Sequence, residues 1–405
     1  MTASLTQKSK RQAPPQRSGA SFLRLGWMLV QGVCCLVLTL LAVEVCFYFA
    51  RVGDAEHLMP DSVVGFKPFA NKRVTQRKEG YGCFLFNRFG MQDDDLDVAK
   101  KPGTLRVAIM GDSYVESLQV PRDSNYLKLA QKQLSQELAQ PVEVLNFGVS
   151  NYSVAQDYLR YKTLARQFKP DIVILAFRVD ETGKLLPNTA QALPFVRPVF
   201  FVKEKGQLQY DDTVVRSFTK SAVGRRLQHT AWLREHSRIY GLVGTMVESW
   251  EAFKQAYSWP WQKLAPSTFG AGAAPKPGFV PPTDETRSKF TSCYWYMMEA
   301  LLAQFNRDVV ADGARFVIFR TPTVRPGSHE LTDNSTEDLL LQKSAAKLGI
   351  KLFNLNAAYK QNIDPKQCAD DFLGGGHFTK QLHVWVADQL SGYLLANGEI
   401  RTVLK

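Results

Sequence analysis

The sequence predicts an α/β protein, a three-layer sandwich built around a five-stranded, parallel, doubly wound sheet. Short, mostly apolar runs of strand length alternate with helices of amphipathic spacing, and the run at 172–177 is apolar throughout, which is typical of a parallel strand covered on both faces. The sequence also predicts one N-terminal transmembrane helix, because a long apolar segment follows a basic amino terminus. The 405 residues, 45% of them hydrophobic, suffice for one large domain or two modest ones.

The amino terminus has the pattern of a membrane anchor. Residues 1–26 contain five basic residues and no acidic one, and residues 27–49 are almost wholly apolar. A run of that length spans a bilayer as a helix, and the basic flank predicts a cytoplasmic tail with the rest of the chain in the periplasm. We therefore expect a single-pass protein of the inner (cytoplasmic) membrane. A cleaved signal peptide is the alternative, although no clean small-x-small cleavage site follows the run.

The elements beyond the anchor follow in a regular order. Residues 50–103 are predicted to form a loop-rich connector. Strands are predicted at 105–110, 142–146, 172–177, 314–319 and 351–355, and helices at 126–138, 154–168, 295–310, 336–348 and 379–395. The α/β domain thus occupies 104–181 and 290–400. Residues 182–289 interrupt the alternation with a polar segment, a helical stretch and a Gly/Ala/Pro-rich run, so we expect a helical insertion there, a cap or lid.

Charge and cysteine content limit the possible partners. The net charge of +12 favours acidic partners such as anionic polysaccharide or lipid headgroups, or reflects an ordinary basic surface. No Lys/Arg-rich block interleaved with aromatic residues occurs outside the tail, so nucleic-acid binding is not expected. Outside the apolar segment Cys83, Cys293 and Cys368 allow at most one intrachain disulfide. No Cys/His spacing indicates zinc, and we predict no metal and no cofactor.

A serine lies where the first strand ends, in the run Gly111-Asp112-Ser113. Open α/β sheets place reactive groups at that edge, and a serine nucleophile needs a base, usually histidine. His377 lies in the loop after the fifth strand, from which it can reach Ser113, whereas His383 falls inside the last helix, where a structural role is expected. The competing interpretations are that Ser113 is an ordinary helix N-cap and that His377 merely starts a helix.

Four segments together resemble a known superfamily. They read Gly-Asp-Ser at 111–113, Asn-Phe-Gly-Val-Ser-Asn-Tyr-Ser at 146–153, Pro-Asp-Ile-Val-Ile-Leu-Ala-Phe at 170–177 and Gly-His-Phe-Thr at 376–379. In this order they resemble the SGNH/GDSL hydrolases, and most of all the bacterial membrane-anchored members linked to cell-surface polysaccharide acylation. The turn Asn87-x-x-Gly90 and Arg106 also fit those members. The resemblance covers about residues 84–181 and 290–395 and leaves the insertion unexplained.

The resemblance implies a role for several residues. It makes Ser113 the nucleophile and an oxyanion donor, and His377 the base. Asn151 stands where the family has a glycine whose backbone N–H binds the oxyanion, and Gly148 is the earlier glycine of the same run. Asparagine tolerates the left-handed conformation, so this donor can persist.

Two departures from the family pattern fall in the remaining motifs. The third segment of the family offers an asparagine side chain to the oxyanion, but the sequence has Asp180 there, which would accept rather than donate. The family's aspartate three residues before the histidine is Gly374 here, so Asp371 and Asp370 are the nearest candidates to orient His377. Losing one oxyanion donor costs roughly 10²- to 10³-fold in turnover, and losing the orienting aspartate about 10⁴-fold.

The sequence therefore leaves two classes of function open. The favoured one is an acyl-ester hydrolase or O-acyltransferase that works through an acyl-Ser113 intermediate. By resemblance, the acyl group is acetyl and the carrier a cell-envelope carbohydrate. The alternative is a non-catalytic carbohydrate-binding or assembly subunit of an envelope polysaccharide pathway. A phospholipid-directed esterase is a third option, and it would require an apolar trough leading to Ser113.

Overall fold

The computed structural model describes residues 19–50, 52, 57–77, 79–179, 196–202, 208–243, 246, 284–324, 331, 335–362, 368–396 and 400. The chain divides into two compact units, Met1–Gly53 and Asp54–Lys405. The first unit contains helix α1 (Gly19–Ala50), whose part Arg24–Ala50 has a mean hydropathy of 2.4 and is long and apolar enough to cross a membrane. A signal sequence near an amino terminus can meet the same criteria of length and apolarity, and the direction of insertion stays a prediction.

The connector contains short strands rather than loops alone. Strand β1 (Leu58–Asp61) pairs antiparallel with β2 (Gly65–Pro68), and β3 (Arg73–Gln76) pairs antiparallel with β4 (Gly82–Leu85). These four strands were not predicted, because strands of four residues are too short for an alternating pattern to stand out, and most of the other described residues of the connector are irregular.

The predicted five-stranded parallel sheet is confirmed. The remaining strands in chain order are β5 (Leu105–Met110), β6 (Val142–Asn146), β7 (Ile172–Phe177), β8 (Val199–Val202), β9 (Leu208–Asp211), β10 (Arg315–Arg320) and β11 (Lys351–Asn354). The sheet has the order β11-β10-β7-β5-β6, and every pairing in it is parallel. The strand order reverses between β5 and β7, and doubly wound sheets bind their ligands outside the carboxyl ends of the strands at such a point.

Helices cover both faces of this sheet. The described helices that follow α1 in the chain are α2 (Ser113–Glu116), α3 (Tyr126–Leu138), α4 (Val154–Thr163), α5 (Thr213–Lys220), α6 (Ala222–His229), α7 (Ala231–His236), α8 (Asp284–Ala311), α9 (Ser335–Lys347), α10 (Leu355–Asn362), α11 (Cys368–Asp371) and α12 (Lys380–Ala396), and residues 238–243 are also helical. Alternate residues of β5 enter two separate cores. Val107 and Ile109 pack with α3, α10 and α12, whereas Ala108 and Met110 pack with α4, α8 and α9. This gives the predicted three layers.

Two helical predictions differ in detail from the structure. The helix predicted over 154–168 ends at Thr163, because Leu164 leaves the helical region with φ of −131°, and a 3₁₀ turn (Ala165–Phe168) follows. The insertion also contains the antiparallel hairpin β8–β9 before its helices α5 to α7. This hairpin was not predicted, because each of its strands has four residues. The Gly/Ala/Pro-rich run from 266 to 282 lies outside the described residues.

Candidate active site

Ser113 follows strand β5 in a turn that requires glycine. A Cβ at Gly111 would lie 2.6 Å from Val115 Cγ2 and 3.2 Å from Ala176 Cβ, so the turn would have to open. Asp112 is the N-cap of α2, and its Oδ1 accepts from the Tyr114 N–H at 3.1 Å. The capping role that competed with catalysis for Ser113 therefore belongs to Asp112, and Ser113 is the first residue of the helix.

The structure brings His377 and Ser113 together, although 264 positions separate them in the chain. His377 Nε2 lies 2.8 Å from Ser113 Oγ. The loop that carries the histidine is held from within, since the Leu373 N–H donates to the His377 carbonyl and the Gly376 N–H to the Leu373 carbonyl. The Tyr114 hydroxyl donates to the Gly376 carbonyl at 2.6 Å. The element that carries the serine thus also fixes the loop that carries the histidine.

The other ring nitrogen of His377 contacts Glu79, a residue of the connector that the sequence did not indicate. Glu79 Oε2 lies 2.6 Å from His377 Nδ1, and Glu79 Oε1 accepts from the backbone N–H groups of Gly375 and His377 at 2.9 and 3.1 Å. A Cβ at Gly375 would overlap this carboxylate, which accounts for one glycine of the Gly374-Gly375-Gly376 run. The three groups form a continuous hydrogen-bonded chain from carboxylate to hydroxyl.

Electrostatics favours the ionised form of Glu79. Burial alone would raise the pKa of this carboxyl, but the hydrogen bond and charge of His377 and the two backbone N–H groups outweigh burial, so the pKa lies below its usual value. An ionised carboxylate only accepts hydrogen bonds, so Nδ1 carries a proton, and when the ring is neutral Nε2 accepts from the Ser113 hydroxyl. In this tautomer His377 can remove the serine proton.

The expectation that Asp371 or Asp370 orients His377 is wrong. The Asp371 carboxylate accepts from the Tyr359 hydroxyl at 2.8 Å, and its backbone carbonyl accepts from the Thr379 N–H. Asp370 is exposed. Both aspartates lie in α11, the short helix before the loop that carries His377. Both nitrogens of the His377 ring contact other residues.

The candidate oxyanion donors have different surroundings. Asn151 adopts the left-handed conformation, with φ of 66°. The Gly148 N–H donates to the Asn146 side-chain oxygen at 3.0 Å, so the expectation that Gly148 is a donor is wrong. Gly148 is needed for packing instead, since a Cβ there would overlap the backbone nitrogen of Glu116. Asp180 lies outside the described residues.

Arg178 is a second residue that the sequence interpretation missed. It directly follows β7, and its Nη1 donates to Asp112 Oδ2 at 3.0 Å. Its guanidinium carbon lies 4.4 Å from the centre of the Tyr114 ring. Asp112 is buried, so this ion pair offsets the charge of a carboxylate directly beside Ser113. The available signal was a basic residue immediately after a wholly apolar strand.

Two motif residues outside the triad support the turns around it. Asn87 Oδ1 accepts from the Phe89 and Met91 N–H groups, which closes the predicted turn. Arg106 is buried and donates to Glu143 and to the backbone carbonyls of residues 97, 98 and 168. Both have structural roles. Across the described residues, no group of three or more His, Cys, Asp and Glu side chains is placed to hold a metal ion.

No protein-family model and no curated protein matches the sequence. Solved structures do match. A lipase/acylhydrolase from Enterococcus faecalis is 9% identical with a TM-score of 0.37, over 72% of this chain and 96% of that one. A GDSL-like lipase from Parabacteroides merdae is 12% identical with a TM-score of 0.35, over 75% and 100%. An acetylxylan esterase from Geobacillus stearothermophilus is 13% identical with a TM-score of 0.35, over 73% and 94%. Structural similarity at these TM-scores and identities does not assign an activity, so the functional argument rests on the contacts within the site.

Proposed function

We propose that the protein is a serine acyl-ester hydrolase that works through an acyl-Ser113 intermediate. One observation carries the proposal, the hydrogen-bonded chain from Glu79 through both nitrogens of His377 to Ser113 Oγ. A binding subunit does not require an imidazole in the tautomer that accepts a serine proton. The same arrangement generates nucleophiles on unrelated folds, where it is recognised by geometry rather than by sequence position.

The reaction follows from these contacts. Ser113 Oγ attacks the ester carbonyl while its proton passes to His377 Nε2, and the negative charge of Glu79 stabilises the imidazolium that forms. The tetrahedral intermediate collapses as Nε2 returns the proton to the departing alcohol oxygen, leaving acyl-Ser113. Water then attacks the acyl carbon, gives a proton to Nε2 and releases the acid when Ser113 regains that proton. His377 returns each proton that it takes from an oxygen to another oxygen, so the site ends the cycle in its starting state.

Stabilisation of the oxyanion is assigned to backbone groups. The Ser113 and Asn151 N–H groups are the proposed donors, since the left-handed Asn151 takes the place of the glycine in the family that the motifs resemble. Arg178 supplies positive charge beside Asp112, which reduces the repulsion between that carboxylate and a developing oxyanion.

The substrate is proposed to be an acetylated carbohydrate of the cell envelope, reached from the periplasmic side of the inner membrane. The motifs resemble members linked to polysaccharide acylation, and the basic tail before the apolar helix favours this orientation. A sugar hydroxyl that attacks acyl-Ser113 instead of water makes the same site an O-acetyltransferase. Alkaline phosphatase fused at the carboxyl terminus would be active in a cell only if the orientation is as proposed, and activity of a cytoplasmic reporter there would refute it.

The nucleophile is tested by covalent labelling. A serine-directed fluorophosphonate should label the wild type and the Ser124→Ala control, in which a serine of the 3₁₀ turn Arg122–Ser124 loses its hydroxyl, but not Ser113→Ala. Hydrolysis of an activated acetate ester should fall by about 10⁶-fold in Ser113→Ala, as in other serine triads, and should be unchanged in the Ser124→Ala control. Equal labelling of wild type and Ser113→Ala, or an unlabelled wild type that supports its pathway, would favour the carbohydrate-binding subunit.

A further inference from the structure

The turn at residues 148–151 carries the proposed Asn151 donor and is tightly constrained. The Val149 N–H donates to the Gly111 carbonyl at 3.0 Å, which ties the turn to the start of the nucleophile turn. Asn151 is left-handed, a conformation that is uncommon for any residue with a side chain. Contacts on either side of Asn151 hold the turn in this shape.

Glu116 holds the side of the turn that precedes Asn151. Its carboxylate is buried, and Oε2 accepts both the Ser150 backbone N–H at 2.8 Å and the Ser150 hydroxyl. Glu116 is the last residue of α2, the helix that begins with Ser113. The nucleophile and the support of the turn are therefore fixed at the two ends of one four-residue element.

Arg197 holds the part of the turn that follows the Asn151 N–H group. It is buried, and its Nη2 donates to the Asn151 carbonyl at 3.1 Å and to Asn151 Oδ1 at 2.7 Å. Arg197 belongs to the insertion. The segment that contains Arg197 lies against β2, because a Cβ at Gly65 would overlap the Val196 carbonyl. Gly65 also has a φ of 87°, which favours glycine.

We propose that Glu116 and Arg197 are positioning residues that together aim the Asn151 N–H at the oxyanion. This inference rests on the proposed esterase function and extends it to the insertion. The Asn151 N–H belongs to the peptide between Ser150 and Asn151, and the two residues fix the peptide on each side of it. A donor held in advance requires no reorganisation when charge develops.

The test compares Glu116→Gln and Arg197→Gln with matched controls elsewhere in the chain. Glu299→Gln alters another carboxylate that accepts a serine hydroxyl, that of Ser344 at 2.7 Å, and Arg216→Gln alters an exposed arginine of the insertion. For each protein, kcat and KM for an activated acetate ester and the affinity for a boronic acid, a tetrahedral transition-state analogue, are measured.

We expect kcat and boronate affinity to fall together by about 10- to 100-fold in both positioning variants, somewhat less than the loss of a whole donor. KM and both controls should change less than about twofold, a difference below ~0.5 kcal/mol. A further variant, Ser150→Ala, removes only the hydroxyl contact of Glu116 and leaves the carboxylate in place. It should show the same pattern at smaller size, so the inference can still be tested if Glu116→Gln fails to fold.

Two results would overturn the inference. Folded positioning variants with unchanged kcat and boronate affinity would show that the contacts do not aim a donor, and a lower melting temperature without a kcat effect would make them purely structural. Failure of the proposed function is distinguishable, because in that case the wild type itself would neither hydrolyse the ester nor react with the fluorophosphonate. Wild-type activity with unaffected variants would overturn the positioning role alone.

Discussion

Two histidines six positions apart in one segment have opposite environments. His377 lies in a loop, and its ring contacts a hydroxyl on one side and a carboxylate on the other. His383 is buried in α12, and its Nδ1 accepts the Tyr126 N–H at 3.2 Å. Burial, with a smaller effect of the nearby His377 charge, lowers the pKa of His383 to about 3. The two rings have the same chemistry, so it is their solvation and their hydrogen-bond partners that make one suited to proton transfer and the other to packing.

The largest expected difference between His377 and His383 is in their effect on catalytic activity. His377→Asn should lower kcat/KM for an activated ester by about 10⁶-fold, the size seen when a triad histidine is removed, because no other group would take the Ser113 proton. The melting temperature should stay near that of the wild type, since the ring is partly exposed. His236→Asn, at an exposed position of the insertion, serves as the control. A reduction of less than tenfold would remove the distinction between the two histidines.

The second effect is on stability. His383→Leu leaves the buried Tyr126 N–H without its acceptor, which should lower the free energy of unfolding by about 1–3 kcal/mol in urea denaturation. The kcat of the folded protein should remain within about threefold of the wild type, which corresponds to a change of less than ~0.7 kcal/mol in the activation barrier. A stable His383→Leu variant with a large loss of kcat would mean that His383, too, belongs to the catalytic machinery.

The smallest effect is a pH dependence of that stability. The unfolded chain binds a proton on His383 near its ordinary pKa of 6.5, whereas the folded chain does so only near pH 3. Stability from neutral His383 is therefore complete above pH 6.5 and lost as the pH falls, by up to about 1.4 kcal/mol per pH unit. Between pH 6.5 and 5, the unfolding free energy of His383→Leu should fall less steeply than that of the wild type. Parallel curves would contradict the burial of a neutral ring.

Prediction from sequence succeeded where the pattern is local. The mostly apolar runs predicted the five strands, and their carboxyl ends placed Ser113 and His377 at one edge, where the structure joins them. Glu79 could not be found in this way. It lies in an irregular stretch between two four-residue strands, and a single acidic residue there carries no periodic signal. Its only local sign is the Gly80 that follows, a turn residue.

The error over Asp371 has the same origin. Asp371 is the acidic residue closest to His377 along the chain among the candidates, but Glu79 is the one that lies next to the ring in space. The structure also gives a reason for Gly375, because the Glu79 carboxylate lies against the loop and leaves no room for a side chain there. Arg197 was missed because the insertion breaks the α/β pattern that organised the prediction.

The proposed catalytic site requires that Glu79, and not Asp371, supports His377, and one paired measurement decides between the two carboxylates. Glu79→Gln and Asp371→Asn both replace a carboxylate by an amide of the same shape, and both can be assayed for hydrolysis of an activated acetate ester. We predict that Glu79→Gln lowers kcat by about 10⁴-fold, as for an orienting aspartate, because an amide does not favour the required imidazole tautomer or stabilise the imidazolium. Asp371→Asn should remain within about threefold of the wild type. The reverse ranking, or equal activity of the two variants, would contradict the triad of Ser113, His377 and Glu79.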